Sequence, residues 1–224
     1  MRLWFNRYLL PAALLAGALL AGGTLLFSWY HAMERGQSVP AELQGMMLPA
    51  SRALEPFQLV DHKGAPFTLD NLRGQWSLVF FGYTYCPDIC PLGLGVLSAM
   101  LTDLSSRNPS LRQRSRGIFI SVDPQRDTPK VLQDYVAFFG SDLLGVTGTA
   151  EQLQDAARKF GAYFRIQKEK PVDTDYEVVH SSSVLLISPQ AHLVAMLDPK
   201  LVSGEKMADQ FMRIVKSLEK ESRP

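Results

Sequence analysis

Only two cysteines occur in the 224 residues, separated by three residues, in Cys86-Pro87-Asp88-Ile89-Cys90. Two intervening residues make the usual redox motif of thioredoxin-like proteins, and three still permit a Cys86–Cys90 disulfide. The same spacing lets both sulfurs bind one metal ion. Soft thiolates favour Cu(I), which accepts two or three ligands, whereas zinc needs four, or three and a water. Pro87 and Pro91 cannot lie deep in a helix, so the pair belongs to a stiff loop or first turn. A cysteine at a helix start has its thiolate stabilised by unpaired N–H groups, which predicts a lowered pKa. A passive pair of buried thiols is the weaker reading for a loop directly after a core strand.

With two sulfurs available, further ligands must come from elsewhere. His31, His62 and His192 read as surface side chains. His180 follows the polar stretch Asp173-Thr174-Asp175-Tyr176-Glu177 and precedes an apolar run, at the entrance of a strand. In a thioredoxin-like sheet the loop before that strand faces the cysteine loop, which makes His180 the candidate third ligand; neutral imidazole is an ordinary copper ligand. Asp123, ending another apolar run, is a candidate to orient a ligand or exchange protons near the thiols. Arg126 and Asp127 read as helix caps. Met46 and Met47 are soft donors, but such residues more often pack at a domain edge.

The elements that must position these residues are visible as alternating patterns. Residues 76–81 (WSLVFF) form a continuous apolar run, as in a strand buried on both faces. The cysteine segment follows it, outside the carboxyl end of a central strand, where open α/β sheets place reactive groups. Residues 57–61 and 67–69 read as short strands, 92–104 as a helix and 117–122 (GIFISV) as a second buried strand. Thr128-Pro129 and Thr149 open two further helices. Residues 183–187 and 193–197 read as a hairpin across Ser188-Pro189-Gln190-Ala191, and 204–221 as a closing amphipathic helix. The fold class is α/β, a thioredoxin-like three-layer sandwich behind an N-terminal transmembrane helix.

Arg2 and Arg7 precede residues 8–33, which carry no formal charge. A bilayer core of about 30 Å needs roughly 20 apolar residues, so this run is long enough to span. An uncleaved anchor is favoured over a cleaved signal peptide, because the run continues to Trp29 and Tyr30, which suit an interfacial aromatic belt. The arginines put the N-terminus in the cytoplasm and the rest on the outer, oxidising side. The domains expected are 1–33 (cytoplasmic tip and anchor), 34–52 (a linker) and 53–224 (the thioredoxin-like domain). Lys and Arg number 23 against 22 Asp and Glu, so charge makes no case for nucleic acid. The Arg112, Arg114 and Arg116 cluster reads as solubilising a helix end.

Three motifs in order are specific: Tyr83-Thr84-Tyr85-Cys86-Pro87-Asp88-Ile89-Cys90-Pro91, Ser121-Val122-Asp123-Pro124-Gln125-Arg126-Asp127-Thr128-Pro129, and Asp175-Tyr176 ahead of His180-Ser181. From residue 57 onward the chain closely resembles the Sco/SenC family. The resemblance implies a thioredoxin-like fold, an N-terminal anchor, and copper, as Cu(I) or Cu(II), held by Cys86, Cys90 and His180. It also implies delivery to the binuclear copper centre of cytochrome c oxidase subunit II. Other copper chaperones or thiol reductants would be further partners, and the setting a bacterial inner membrane with the domain in the periplasm. On this reading the protein is a metallochaperone rather than an enzyme. A thiol–disulfide oxidoreductase acting on the same centre and a copper-dependent redox sensor are the alternatives. The sequence departs from the family at Val179, usually acidic, which predicts a lost carboxylate behind the imidazole. The hairpin turn departs too, with Ala191 at a position suited to positive φ.

Overall fold

The computed structural model describes residues 17, 20–29, 43–140, 142–168, 170 and 175–221. The chain divides into two compact units, Met1–Pro40 and Ala41–Pro224. In the first, Leu20–Trp29 is an apolar helix with Leu20, Leu25, Leu26, Phe27 and Trp29 exposed. Most of the expected span, the 34–42 part of the expected linker, and His31 lie outside the described residues.

The second unit is built on eight strands: β1 (Met47–Ala53), β2 (Gln58–Asp61), β3 (Pro66–Thr68), β4 (Trp76–Gly82), β5 (Ser115–Ser121), β6 (Leu143–Thr147), β9 (Val184–Ile187) and β10 (His192–Leu197). Their spatial order is β1-β10-β9-β4-β5-β6-β2-β3. Among the described residues a separate antiparallel pair, β7 (Phe164–Gln167) and β8 (Glu177–His180), completes the set. All seven residues of β4 are buried because both of its faces are covered. Side chains alternate along a strand. Trp76 therefore meets Phe211 of α5 (Gly204–Glu221), ring centroids 5.8 Å apart. On the same side, the Phe80 ring lies against Gly93 of α1 (Ile89–Arg107). Phe81 points the other way, onto Phe160 of α4 (Ala150–Phe160), at 5.5 Å. The short α2 (Pro109–Gln113) follows α1, and α3 (Pro129–Phe139) lies beside α1, the Ser98 hydroxyl donating to the Phe139 carbonyl. By length and composition α1 is apolar enough to cross a membrane, but here Leu94, Leu97, Met100, Leu101 and Leu104 fill the core.

Local signals explain the helix starts. Thr128 accepts from the Val131 N–H with Pro129 at the first helical position, and Thr149 forms a capping box with Gln152. In the hairpin turn Ala191 has φ of 60°, the only described non-glycine residue at positive φ. Three elements differ from the sequence reading. Met47–Ala53, expected in the linker up to Arg52, is an edge strand on β10; its mostly exposed side chains carry no alternating apolar signal, and pairing with β10 together with the Arg52 guanidinium donating to the Lys159 carbonyl orders it. Leu143–Thr147, expected as no element, is a third parallel strand beside β5. It is five residues long with a central glycine, too short and irregular to show a period. His180 ends β8 instead of leading directly into the β9 run.

The parallel pair decides where chemistry can occur. β4 and β5 end in register, Gly82 opposite Ser121, and the Val122 N–H donates to the Gly82 carbonyl at 2.8 Å. The loops carrying Cys86 and Asp123 therefore leave the sheet side by side.

Candidate metal centre

Cys86 sits in the turn after β4, its N–H directed at the Tyr83 carbonyl at 3.3 Å, and is half-buried. Cys90 lies in the first turn of α1 and is fully buried. Both thiols are free. Gly82 makes room for Cys90: a Cβ there would come within 2.6 Å of its Sγ. β8 brings His180 to the same place, Nε2 lying 3.3 Å from the Cys90 Sγ. The two sulfurs and the imidazole nitrogen all lie within 4.8 Å of one another. Among the described residues this is the one group of three His, Cys, Asp or Glu side chains close enough to hold a metal ion.

The imidazole is poised to donate a lone pair. Its Nδ1 lies 2.9 Å from the Ser181 carbonyl oxygen, which can only accept, so Nδ1 carries the proton and Nε2 faces the sulfur unprotonated. Burial holds its pKa below the ordinary histidine value, which keeps the ring neutral. The rings of Tyr83 and Phe80 meet it edge-on, at 5.8 and 6.3 Å.

The cysteine expectation reverses at Cys90. Burial pushes its thiol well above the usual range, outweighing its place at the start of α1. Desolvation penalises the thiolate, and neighbouring Cys86 and Asp127 add to the rise against a backbone hydrogen bond at Tyr83, so the metal-free thiol keeps its proton. A soft cation entering here must displace that proton.

The loop after β5 also differs from its reading. Asp127 does not cap α3; Thr128 does. Asp127 is fully buried and accepts from the Thr84 N–H (2.9 Å), the Thr84 hydroxyl (2.5 Å) and the Ser121 hydroxyl (2.5 Å). It ties the turn before Cys86 to the end of β5. Asp123 is likewise buried, but its partners are the Tyr176 hydroxyl at 2.7 Å and Arg126 Nε at 2.5 Å, not a thiol. Arg126 does not cap a helix either. Its guanidinium lies over Tyr176 at 3.7 Å, Tyr85 at 4.9 Å and Tyr83 at 5.5 Å. Burial and the bond to Asp123 push the Tyr176 hydroxyl up to about 12. Thr84, Arg126, Asp127 and Tyr176 all stand inside the motifs quoted above, but their roles depend on loop neighbours that spacing cannot specify.

The Val179 expectation is corrected by the strand period. Val178 and His180 face the interior, whereas Val179 and Glu177 are exposed, with Val179 paired to Arg165 of β7. A residue at 179 points away from the imidazole, and the Ser181 carbonyl supports the ring instead. The remaining described histidines are elsewhere. His62 Nδ1 accepts from the Gly145 N–H at 3.0 Å, and His192 lies 3.5 Å from the Ser51 hydroxyl. Met46 and Met47 lie at the β1 edge, Met46 accepting at its backbone from Met196.

A thioredoxin-like sandwich with two cysteines and a histidine gathered at the carboxyl end of its central strand is the class of protein that fold and site define. The family model described as SCO1/SenC matches residues 46–216, and the chain belongs to that family. Its relatives include Protein SCO2, mitochondrial, of Saccharomyces cerevisiae, 34% identical over 223 residues, 98% of this chain and 71% of the relative. The crystal structure of yeast Sco1 with copper bound matches with a TM-score of 0.69 at 33% identity, covering 77% of this chain and 96% of that one. Arabidopsis thaliana ScoI with copper bound matches at 0.66 and 33%, covering 73% and 98%.

Proposed function

We propose that the protein is a copper metallochaperone whose cargo is held by Cys86, Cys90 and His180 and passed to the binuclear copper centre of cytochrome c oxidase subunit II. The convergence of two sulfurs and an unprotonated imidazole nitrogen within 4.8 Å carries the reading. Two relatives of like fold whose structures hold copper support it. Two thiolates and one imidazole suit Cu(I), which takes three ligands without strain, better than zinc, which needs a fourth. Capture releases the Cys90 proton as the sulfur binds. Release is then stepwise exchange of each ligand for one from the recipient, with the half-buried Cys86 the sulfur open to an incoming group. Oxidation to the Cys86–Cys90 disulfide removes both sulfur ligands and blocks capture.

The N-terminal run, with its exposed apolar Leu20–Trp29 helix, is the proposed anchor, and the unit Ala41–Pro224, with β1 as its edge strand, the copper-carrying domain in the periplasm of a bacterial inner membrane. In the oxidoreductase alternative the half-buried Cys86 is the attacking thiol and the buried Cys90 the resolving one.

Anaerobic titration of the reduced domain with Cu(I), against Cys86→Ser, Cys90→Ser and His180→Ala, tests the proposal. One tight equivalent is expected in the wild type, lost in either serine variant and weakened in His180→Ala. A wild type that binds no more copper than the serine variants would end the chaperone reading. Thiol exchange that survives His180→Ala but fails in both serine variants, without copper binding, would establish the oxidoreductase. Mixing the loaded domain with the metal-free copper domain of subunit II then tests transfer.

A further inference from the structure

The two halves of the cluster come from opposite sides of the site. The cysteines ride on the β4–α1 loop and His180 on the β7–β8 pair, which belongs to neither the main sheet nor a helix layer. Among the described residues β7 and β8 pair only with each other, and they meet the cysteine side directly where the Val178 backbone bonds Tyr83 and His180 bonds the Phe81 backbone. One loop touches both. Through Asp127 the segment after β5 grips Thr84, two residues before Cys86. Through Asp123 and Arg126 it grips Tyr176, four residues before His180.

Arg126 occupies the junction. Its Nε is committed to Asp123, while the guanidinium plane covers Tyr176 from the histidine side and Tyr83 and Tyr85 from the cysteine side. The Tyr83 ring in turn meets His180 edge-on. Among the described residues Arg126 Nη2 is buried with no hydrogen-bond partner, and stacking on the tyrosine rings holds this end of the side chain. Only a planar cation can lie flat against several rings at once, which lysine cannot reproduce.

We propose that Arg126 is a positioning residue that couples the two halves: by clamping Tyr176 and Tyr83 it holds His180 within reach of the cysteine sulfurs, so that copper keeps its third ligand. The inference rests on the copper reading above. It is specific in predicting which ligand fails. Without the clamp the cysteines stay, anchored independently through Asp127 and Gly82, and the histidine is lost.

The test uses the Arg126→Met variant loaded anaerobically with one equivalent of Cu(I). X-ray absorption should show imidazole scattering and three ligands in the wild type, and two sulfurs without imidazole in the variant. Affinity by chelator competition should fall about 10- to 100-fold, the usual cost of losing an outer support. Arg126→Lys should resemble Arg126→Met. Arg126→Met combined with His180→Ala should bind no more weakly than His180→Ala alone, because both remove the same ligand. Should Arg126→Met not fold, Tyr176→Leu breaks the same stack from the other side. Retained imidazole scattering with affinity within about twofold of wild type would overturn the clamp. Additive losses in the double variant would also overturn it, reducing Arg126 to a general structural role. A wild type without tight copper binding would instead defeat the function proposed above, so the two failures are distinct.

Discussion

Gly82→Ala is the sharpest perturbation of the site that replaces no ligand. A Cβ at residue 82 would lie 2.6 Å from the Cys90 Sγ and 2.8 Å from the Phe119 ring. Ordinary non-bonded contacts are about 3.5–4.0 Å, so the sulfur must retreat by roughly 1 Å. The strand cannot yield instead. Gly82 is held in register opposite Ser121, and its carbonyl accepts from Val122 at 2.8 Å. Cys90 sits only 3.3 Å from His180 Nε2, so a shift of that size opens or closes the pocket by a large fraction of a metal–ligand bond. A misplacement of about 1 Å is worth about 100-fold where geometry matters, and we expect Cu(I) affinity to fall about 10- to 100-fold, about 1.4–2.8 kcal/mol. Overpacking the core should also cost about 1–3 kcal/mol of folding stability. Chelator competition measures the first and denaturant unfolding of the metal-free domain the second. Gly95→Ala is the control. Nothing lies within 4 Å of its Cβ, and it stands in an exposed turn of α1, where alanine should stabilise by about 0.4–1 kcal/mol and leave copper binding unchanged. Wild-type affinity in Gly82→Ala would refute the reasoning, because the sulfur would have been shown free to sit elsewhere.

Three further outcomes follow from individual contacts. Asp127→Ala leaves the Thr84 N–H and two hydroxyls without their acceptor; about 1–3 kcal/mol per orphaned buried donor is expected, read by thermal unfolding, with Asp127→Asn milder. Val179→Asp should change Cu(I) affinity by less than about twofold, because the residue faces solvent, and surface changes are usually within about 0.5 kcal/mol; a clear rise in affinity would show that the carboxylate reaches the imidazole. His62 must stay neutral at Nδ1 to accept from Gly145, and burial lowers its folded pKa below 6.5. The unfolded chain therefore binds the proton more readily. This contribution is fully present above about pH 6.5 and is lost as pH falls through the lower folded pKa. Metal-free stability measured from pH 8 to pH 5 should show that loss in the wild type, and a flatter profile in His62→Gln.

Much of this protein was readable along the chain. Local periodicity determines the buried strand WSLVFF, the capped starts of α3 and α4, the closing helix and the SPQA hairpin turn, because each signal lies within a few residues. The three candidate donors Cys86, Cys90 and His180 were also legible as chemistry, since two thiols at that spacing need a third ligand from somewhere. Tertiary structure decided what those groups experience. Desolvation at Cys90 overrides the helix-start effect that its position in sequence suggests. The in-register ends of β4 and β5 bring Asp127 to Thr84 and spend it on the cysteine turn instead of a helix cap. The two-residue period of β8 turns Val179 to solvent and leaves the Ser181 carbonyl behind the imidazole. Burial and cross-loop bonding join residues tens of positions apart, and no pattern confined to neighbours along the chain carries that information.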